Sequence, residues 1–532
     1  MSKQKRIHNK PQEQRTAFYL QGGLQIMLVV ILMAVGWRSI NYVSGRLPAT
    51  DSGVFTACAL HMIQGQVLYK DAWDHKPPMI HFLDFIALKA GGISIDSVRN
   101  MERIFAMAGL VGLFFILRVI FKNTFISFLS ALFFAIVFYS PAIFHEGNLT
   151  EEYGAIFVLF GILFSVLAQT SEGKKMFFLS AASGVFFCCA FLTKEPFLLA
   201  AIPWFSYLLI KKEAAWRPSL VRTGFFIAGA LLPFVSVVIY LTTHGAFRDW
   251  IEVFAFNLFY SGVGQKSTPL FARLSGNIPY MHKYIFYTST TAMFCFVAGV
   301  VGVFCRSFQQ KYRYFPLIAA VAFIADHMAT IISDRNYDHY YMQAAVSFVL
   351  VGACGLALLF YFFEKNGSSR IGLVVCILLC LIIFDSGSLP YFWDRLKKPD
   401  RKTVIDPVSQ YIRNHSTSED LIWITSEQLS KYYLGTQRLS PTRYIYPRSL
   451  FFKDSLYSTA EEKISGLMND LQKKPPKFII SMYPLGEFMT QKGIKKWVET
   501  NYTVISNGPT TRGRELKLFM NKSQSGRKNE NE

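Results

Sequence analysis

Charged side chains are scarce in most of this 532-residue sequence. Asp, Glu, Lys and Arg make up 17% of it, against about 25% in an average soluble domain. The shortage is uneven, because residues 391–532 hold 39 of the 90 charged residues and residues 1–390 hold the other 51. The composition therefore predicts a polytopic membrane region followed by a soluble domain, and it excludes a soluble enzyme.

Several motifs are also missing. There is no glycine-rich nucleotide loop, no internal repeat and no cysteine spacing typical of zinc sites; seven of the eight cysteines lie in apolar stretches. These absences argue against a nucleotide-sugar donor and a disulfide framework. The net charge of +20 comes largely from short loops between apolar stretches rather than from one basic surface, which argues against a nucleic-acid partner.

Eleven stretches are candidates for transmembrane helices, which need about 20 mostly apolar residues. They cover residues 18–37, 104–121, 124–143, 153–170, 176–193, 196–210, 223–242, 284–304, 314–332, 341–363 and 371–389. The sequence thus predicts a polytopic α-helical membrane protein with about 11 spans.

Positive charge predicts the orientation of these spans. Five Lys and Arg precede the first span, and alternation from a cytoplasmic N-terminus makes every inner loop basic. An odd number of spans then places the C-terminal region outside. The expected domains are a cytoplasmic N-terminus at 1–17, a transmembrane region at 18–390, an extracytoplasmic α/β domain at 391–520 and a disordered tail at 521–532.

The α/β interpretation comes from alternating patterns in the C-terminal region. Short β-branched runs at 421–425, 477–481 and 502–505 alternate with helical patterns at 407–414, 461–473 and 492–499. This alternation predicts a small sheet flanked by helices.

The outer loops differ from the inner ones in carrying charge of both signs and seven of the ten histidines. In the first outer loop Lys76 precedes Pro77 and Pro78, which fix the backbone and end any preceding helix. A lone Lys near a membrane usually anchors lipid headgroups. A Lys at a rigid corner beside the apolar run 79–90 is better suited to holding one phosphate.

Two later motifs lie on the same face. Residues 145–153 read His-Glu-Gly-Asn-Leu-Thr-Glu-Glu-Tyr and open the fourth span, and residues 334–341 read Asp-Arg-Asn-Tyr-Asp-His-Tyr-Tyr before a late span. Together with Asp51 just after the first span and Lys76 about 25 residues further on, this order of motifs resembles the GT-C glycosyltransferases. The most similar groups are the bacterial relatives of the dolichyl-phosphate-mannose protein mannosyltransferases and the lipid A aminoarabinose transferases.

The resemblance implies a reaction and its partners. A hexosyl or pentosyl group would move, with inversion, from a polyprenyl-phosphate carrier in the inner (plasma) membrane to an extracytoplasmic glycan, lipid or protein of the cell envelope. Asp51 matches the position of the general base and Glu151 is the second carboxylate candidate. Lys76 and Arg335 match the cations that bind the donor phosphate, with His339 as a further phosphate contact. Secondary candidates for the site are Asp74, His75, Glu146, Glu152 and Tyr340.

The sequence also departs from the family. Ser52 follows Asp51 where many protein mannosyltransferases have an Asp-Glu pair, which favours the broader bacterial group. No Asp-x-Asp follows the first span, so we expect neither a metal nor a cofactor, although a divalent ion near Asp71, Asp74 and His75 stays open.

The alternative function is a transporter or flippase that uses two ionisable residues of the ninth span, Asp326 and His327. A helix–helix hydrogen bond is the structural interpretation of the same pair. A family member that binds a lipid-linked glycan without catalysis is a third reading. In the loop after the fifth span, Lys194 is expected to pair with Glu195 or to line the donor pocket.

Overall fold

Helices form most of the molecule. The computed structural model describes residues 2–48, 50–210, 217–258, 269–284, 290–331, 335–368, 371–372, 374–375, 388–447, 458–483, 493–511 and 514–524. Up to residue 365 the described helices are Ser2–Ser39 (α1), Thr50–Ile63 (α2), Met79–Gly91 (α3), Ile95–Phe121 (α4), Thr124–Phe138 (α5), Pro141–Phe144 (α6), Thr150–Thr170 (α7), Gly173–Thr193 (α8), Phe197–Leu209 (α9), Arg217–Thr243 (α10), Phe247–Leu258 (α11), Leu270–Tyr284 (α12), Thr290–Phe304 (α13), Arg306–Lys311 (α14), Phe315–Ile331 (α15) and Tyr341–Lys365 (α16).

Six of the described helices are long and apolar enough to cross a membrane. They are Gln21–Val43, Ile95–Phe121, Thr150–Thr170, Gly173–Thr193, Arg217–Thr243 and Asp338–Lys365; shorter apolar helices cover Thr124–Phe138, Phe197–Leu209, Met293–Phe304 and Phe315–Ile331. These ten helices coincide with ten of the eleven predicted spans. The predicted span at 371–389 lies mostly outside the described residues. The chain is a multi-pass helical membrane protein, as predicted.

The membrane region has a buried centre and an apolar periphery. Every residue of α16 from 341 to 358 is buried, because α5, α7, α13 and α15 pack around that helix. By contrast, Leu232 and Ile239 on α10 are 65% and 57% exposed. A helix that is apolar on all sides, such as α16, suits the buried centre. The exposed apolar side of α10 suits contact with lipid.

Helices α8 and α10 approach each other closely through small residues. A Cβ atom at Gly184 would collide with the backbone carbonyl of Phe226, and one at Gly229 with that of Ala181. Such contacts let two membrane helices pack backbone to backbone.

Replacing Gly184 by Leu is therefore expected to destabilise the protein by about 1–3 kcal/mol or more, because the two helices must separate to admit the side chain. A thermal melt of the detergent-solubilised protein measures the loss. Gly224→Leu in α10 is the matched control, since a Cβ there meets no atom within 4 Å. Equal melting temperatures for the two variants would contradict the close packing.

The C-terminal region has the predicted mixture of helices and strands. Its described elements are the helices Ser388–Lys397 (α17), Pro407–Asn414 (α18), Lys431–Thr436 (α19), Ala460–Lys473 (α20) and Ile494–Asn501 (α21) and the strands Ile422–Ile424 (β1), Phe478–Tyr483 (β2), Tyr502–Thr511 (β3) and Arg514–Asn521 (β4). Helix α20 begins with a capping box, in which Thr459 and Glu462 each accept the other's backbone N–H.

The strands form one sheet in the order β1-β2-β4-β3. Strand β1 is parallel to β2, while β4 is antiparallel to both β2 and β3. The sequence analysis missed β4, which extends to Asn521, and a 3₁₀ turn follows at Lys522–Gln524. Order thus continues past the predicted start of the tail at residue 521, and residues 525–532 lie outside the described residues.

This region shares a hydrophobic core with the first outer loop. Cys58 of α2 and Tyr69 and Trp73 of the loop belong to the same buried cluster as Ile422 of β1 and Phe478 of β2. The Trp73 N–H donates to the carbonyl of Arg443 at 2.7 Å, so the contact includes backbone pairing. The C-terminal region therefore lies against the loop that contains Lys76.

Candidate functional site

The loop between α2 and α3 holds Lys76 in a fixed position. Tyr69 has a left-handed backbone, with φ of 69°, and its N–H donates to the carbonyl of Ala72 at 2.8 Å. The Tyr69 hydroxyl donates to the carbonyl of Lys76, also at 2.8 Å. Helix α3 then begins at Met79, directly after Pro78. Lys76 itself is buried, with 8% of its surface exposed. The loop therefore forms the rigid corner that the two prolines predict.

Asp51 lies directly opposite this lysine. It occupies the first turn of α2, and its Oδ2 is 3.6 Å from the Lys76 Nζ. The Asp51 side chain is 41% exposed and that of Lys76 only 10%. Burial lowers the pKa of Lys76, but the negative charge of Asp51, supported by Tyr340, Glu151 and Asp74, outweighs it and raises the pKa above its ordinary value. Lys76 is thus stabilised in its charged form beside an accessible carboxylate.

Asp74 and His75, both secondary candidates, hold the corner rather than face the open site. Asp74 is buried and accepts from the Tyr446 hydroxyl at 3.1 Å, while its oxygens lie 3.2 Å from His75 Nδ1 and 3.3 Å from His81 Nε2. Burial acts to raise the pKa of Asp74, but these histidines outweigh it and hold the pKa well below its usual range. The Lys76 N–H donates to the same carboxylate at 3.3 Å. Sequence reasoning did not find Tyr446, which comes from the C-terminal region.

Glu151 is the centre of a second group of polar residues, in addition to the group around Lys76. It lies in the first turn of α7, accepts from its neighbour Thr150 Oγ1 at 2.7 Å and forms an ion pair with Lys194. The Lys194 Nζ also lies 3.4 Å from the centre of the Tyr340 ring, a cation–π contact. His339 Nε2 is 3.8 Å from Glu151 Oε1. Glu151, Lys194 and the His339-Tyr340 pair thus meet at one point.

The expected local pairing of Lys194 with Glu195 is wrong. Glu195 instead accepts from Asn257 Nδ2 at 2.7 Å, and Lys194 crosses to α7. Burial lowers the pKa of Lys194, the Glu151 charge opposes that effect, and the charge of Lys76 adds to it. The charge of Lys76 acts on Lys194 and that of Glu151 acts on Lys76, which indicates that the two groups of residues are neighbours.

The turn before α7 is held in an unusual conformation. His145, Gly147 and Asn148 all have positive φ, of 51°, 73° and 53°. A Cβ at Gly147 would collide with Glu102, whose carboxylate accepts the Asn148 N–H. On its outer side, His145 Nε2 donates to Asp338 Oδ1 at 2.7 Å, and this bond raises the pKa of His145. The turn therefore links Glu151 to the segment before α16.

Arg335 is linked to His339 of the site by way of Tyr337. Its Nη1 is 3.1 Å from the Tyr337 hydroxyl, and the Tyr337 ring stacks on His339 at 5.7 Å between centroids. The first residue of the motif, Asp334, lies outside the described residues. The predicted cation, histidine and tyrosine of this motif are therefore adjacent.

Two other glutamates of the motif at 145–153, Glu146 and Glu152, have different surroundings from Glu151. Glu152 is completely buried in a separate cluster with Glu102, which accepts from Arg99 Nη1 at 2.7 Å. Glu146 is exposed on the turn, where its charge acts on His145. These two secondary candidates therefore lie in surroundings different from those of Glu151.

Asp326, one of the two ionisable residues of the ninth predicted span, makes a contact between helices. Asp326 is buried on α15 and accepts from Gln343 Nε2 of α16 at 3.1 Å. Gln343 lies 3.4 Å from the carbonyl of Pro196. Asp326 thus makes the helix–helix hydrogen bond that was the structural interpretation.

An apolar groove is lined in part by the first turns of α3, the helix that follows the Lys76 corner. Its volume is about 400 Å³, and its lining comes from α3, α8 and α10: Met79, Phe82, Val185, Leu232, Pro233, Ser236, Val237 and Tyr240. Met79 is only three residues from Lys76, and Leu232 is on the exposed side of α10. The groove therefore joins the lipid-facing surface of α10 to the first turns of α3.

Comparison with known proteins identifies the fold class. The chain superposes on ArnT from Cupriavidus metallidurans in the apo state with a TM-score of 0.58 and 13% identity, over 96% of this chain and 100% of ArnT. ArnT bound to undecaprenyl phosphate gives 0.57 and 12%, over 95% and 99% of the two chains. The archaeal oligosaccharyltransferase AglB from Archaeoglobus fulgidus, in complex with an inhibitory peptide and a dolichol-phosphate, gives 0.50 and 12%, over 94% and 74%. The chain therefore shares the fold of ArnT over nearly the whole length of both chains.

The sequence match covers a smaller part of the chain than the structural superpositions do. Residues 75–241 match the model of the family described as dolichyl-phosphate-mannose-protein mannosyltransferase. The matched segment begins at His75, beside Lys76, and ends within α10. No curated protein sequence matches the chain.

Proposed function

We propose that this protein is an integral membrane glycosyltransferase that moves a sugar from a polyprenyl-phosphate carrier to an extracytoplasmic acceptor. One observation carries the proposal: a buried lysine and an accessible aspartate lie 3.6 Å apart at the corner that precedes α3, a helix that also lines an apolar groove. A lipid phosphate needs an apolar surface for its chain and a fixed cation for its headgroup. The solved structures that share the fold bind undecaprenyl phosphate or dolichol-phosphate, which supports this assignment.

The reaction follows from the chemistry of these groups. An acceptor hydroxyl attacks the anomeric carbon of the sugar while Asp51 takes its proton. The bond between that carbon and the phosphate oxygen breaks, and the electron pair remains on the polyprenyl phosphate. Lys76 and Arg335 stabilise the developing charge, the first as a point charge and the second through a planar fork, and His339 donates a hydrogen bond. Attack from the face opposite the leaving phosphate inverts the anomeric centre.

The two carboxylates of the site differ in accessibility. Asp51 is 41% exposed and Glu151 only 3%, and Glu151 already neutralises Lys194. We therefore assign the base to Asp51. The assigned role of Glu151 is to hold Lys194 and His339 beside the phosphate.

The acceptor would be a glycan, lipid or protein of the cell envelope, reached from outside the inner membrane. The N-terminus is then cytoplasmic and residues 391–520 form an extracytoplasmic domain. The contact of Tyr446 with Asp74 supports this arrangement, because it puts the C-terminal region on the same side as Lys76. A transporter that uses Asp326 is not favoured, since Gln343 holds that carboxylate in a buried hydrogen bond.

Membranes containing the protein, supplied with polyprenyl-phosphate sugar labelled in the sugar, test the proposal. We expect label to leave the lipid and enter an acceptor fraction, with free polyprenyl phosphate released in equal amount and an inverted anomeric configuration in the product. Matched membranes without the protein are the control. Label that crosses the membrane but stays on its lipid would contradict transfer and indicate a flippase.

A further inference from the structure

We propose that His145, Asp338 and His339 form a binding site for a divalent ion of the Zn²⁺ type at the outer edge of the site. Within the described residues, these are the three ligating side chains whose donor atoms all lie within 4.8 Å of one another. The inference goes beyond the proposed function, because ion binding is measured without any sugar donor.

The distances fit such an ion. His145 Nε2 and His339 Nδ1 lie 2.7 Å and 3.5 Å from the same oxygen, Oδ1 of Asp338. Ligands about 2.0–2.2 Å from a tetrahedral Zn²⁺ are roughly 3.3 Å from each other, so small rotations of the side chains suffice. Two imidazoles and one carboxylate are a donor set that suits Zn²⁺ and its neighbours in the first transition row better than Mg²⁺ or Ca²⁺.

The orientation of His339 provides a second, independent argument. Its Nδ1 faces Asp338, and its other nitrogen, Nε2, lies 3.8 Å from Glu151. Histidine ligands of metals usually have a carboxylate or carbonyl at the second nitrogen, which fixes the tautomer. Tyr337 stacks on the ring with an interplanar angle of 9°, and Tyr340 packs against it edge to face at 87°. The imidazole is therefore held in place before any ion binds.

The ion would join two segments that are far apart in sequence. His145 belongs to the strained turn before α7, and the other two residues to the turn before α16. The three side chains are 39%, 28% and 20% exposed, so an ion can reach them from water and one position remains open for an external ligand. Because His339 also contacts Glu151, ion occupancy is coupled to the arrangement of the neighbouring site.

Zinc titration of the full-length protein in detergent, with a chromophoric chelator as competitor, tests the proposal. We expect one Zn²⁺ per chain in the wild type and a Kd at least about tenfold higher in His145→Ala. Asp338→Asn, which preserves side-chain size, is the second variant and is expected to lose binding similarly. His244→Ala is the matched control, since His244 is exposed and its ring bonds to the carbonyl of Tyr240.

Cobalt gives a second measurement on the wild type alone. Co²⁺ bound to two histidines and a carboxylate is expected to show visible absorption that Zn²⁺ abolishes by displacement. The proposal is overturned if the wild type has no saturable one-to-one site, or if both variants bind Zn²⁺ as tightly as the wild type. If zinc binding follows the expected pattern but sugar transfer is absent, the ion site stands and the proposed function fails; the converse result overturns the ion site alone.

Discussion

The variant Asp51→Asn is expected to transfer sugar about 10²–10⁴-fold more slowly than the wild type, which is the usual contribution of a positioned general base. Asparagine preserves the size of the side chain but cannot accept the proton of the acceptor hydroxyl. Asp51 is the more exposed carboxylate of the site and faces Lys76 at 3.6 Å. We expect a donor phosphate to compete with Asp51 for Lys76 and so to free the aspartate for the acceptor. The initial rate of label transfer in membranes at saturating donor measures the effect.

A control variant and a measurement of donor affinity show whether the slower transfer is due to loss of the base. Asp394→Asn, on the exposed surface of α17, should transfer at the wild-type rate and controls for expression. The donor affinity of Asp51→Asn should stay within a few-fold of the wild-type value, because the substitution leaves Lys76 in place. Undiminished transfer by Asp51→Asn would show that Asp51 is not the general base. Glu151 would then be the remaining carboxylate candidate.

Much of the fold was predictable because membrane helices and β-branched strands leave strong local patterns. The ten predicted spans within the described residues and all three predicted strands have counterparts in the structure. Strand β4 was missed because its apolar residues, Leu516 and Leu518–Met520, are interrupted by charged residues and give no clear strand pattern. Its pairing with β2 and β3 is a long-range interaction that local pattern does not contain.

The candidate site was predictable where a motif is contiguous and unpredictable where contacts join distant segments. The corner at Lys76 follows from the two prolines, and the Arg335–Tyr340 motif is compact in sequence. The pairing of Lys194 with Glu151 spans 43 residues, and that of Tyr446 with Asp74 spans 372. Proximity in sequence favoured Glu195 for the first pair and gave no indication of the second.

The contribution of the C-terminal region connects these observations. Tyr446 donates to Asp74 and lies 3.0 Å from His75, so it supports the corner. The buried Asp74 then holds the backbone of Lys76. The position of the lysine therefore depends on two regions of the chain, and we expect the C-terminal region to be required for donor binding as well as for contact with an acceptor.

The variant Lys76→Ala is expected to lower kcat/KM for the lipid-linked donor by about 30-fold to several thousand-fold. Removing one partner of a buried, hydrogen-bonded charge pair typically costs about 2–5 kcal/mol, and each 1.36 kcal/mol is a factor of ten in rate. The loss arises because the donor phosphate then enters the site with one cation fewer and beside the negative charge of Asp51. Initial rates over a range of donor concentrations, at a fixed acceptor concentration, give the value.

The matched control is Lys70→Ala in the same loop. Lys70 is exposed and bonds to the carbonyl of His244 at 3.3 Å, so its loss removes equal charge without touching the corner. Because the pKa of Lys76 is raised, its cation persists to higher pH than that of an ordinary lysine, and wild-type donor affinity should not fall between pH 7 and about pH 10 through this group. A Lys76→Ala enzyme with wild-type kcat/KM, or a Lys70→Ala enzyme with an equal defect, would show that general surface charge rather than the Lys76 corner attracts the donor.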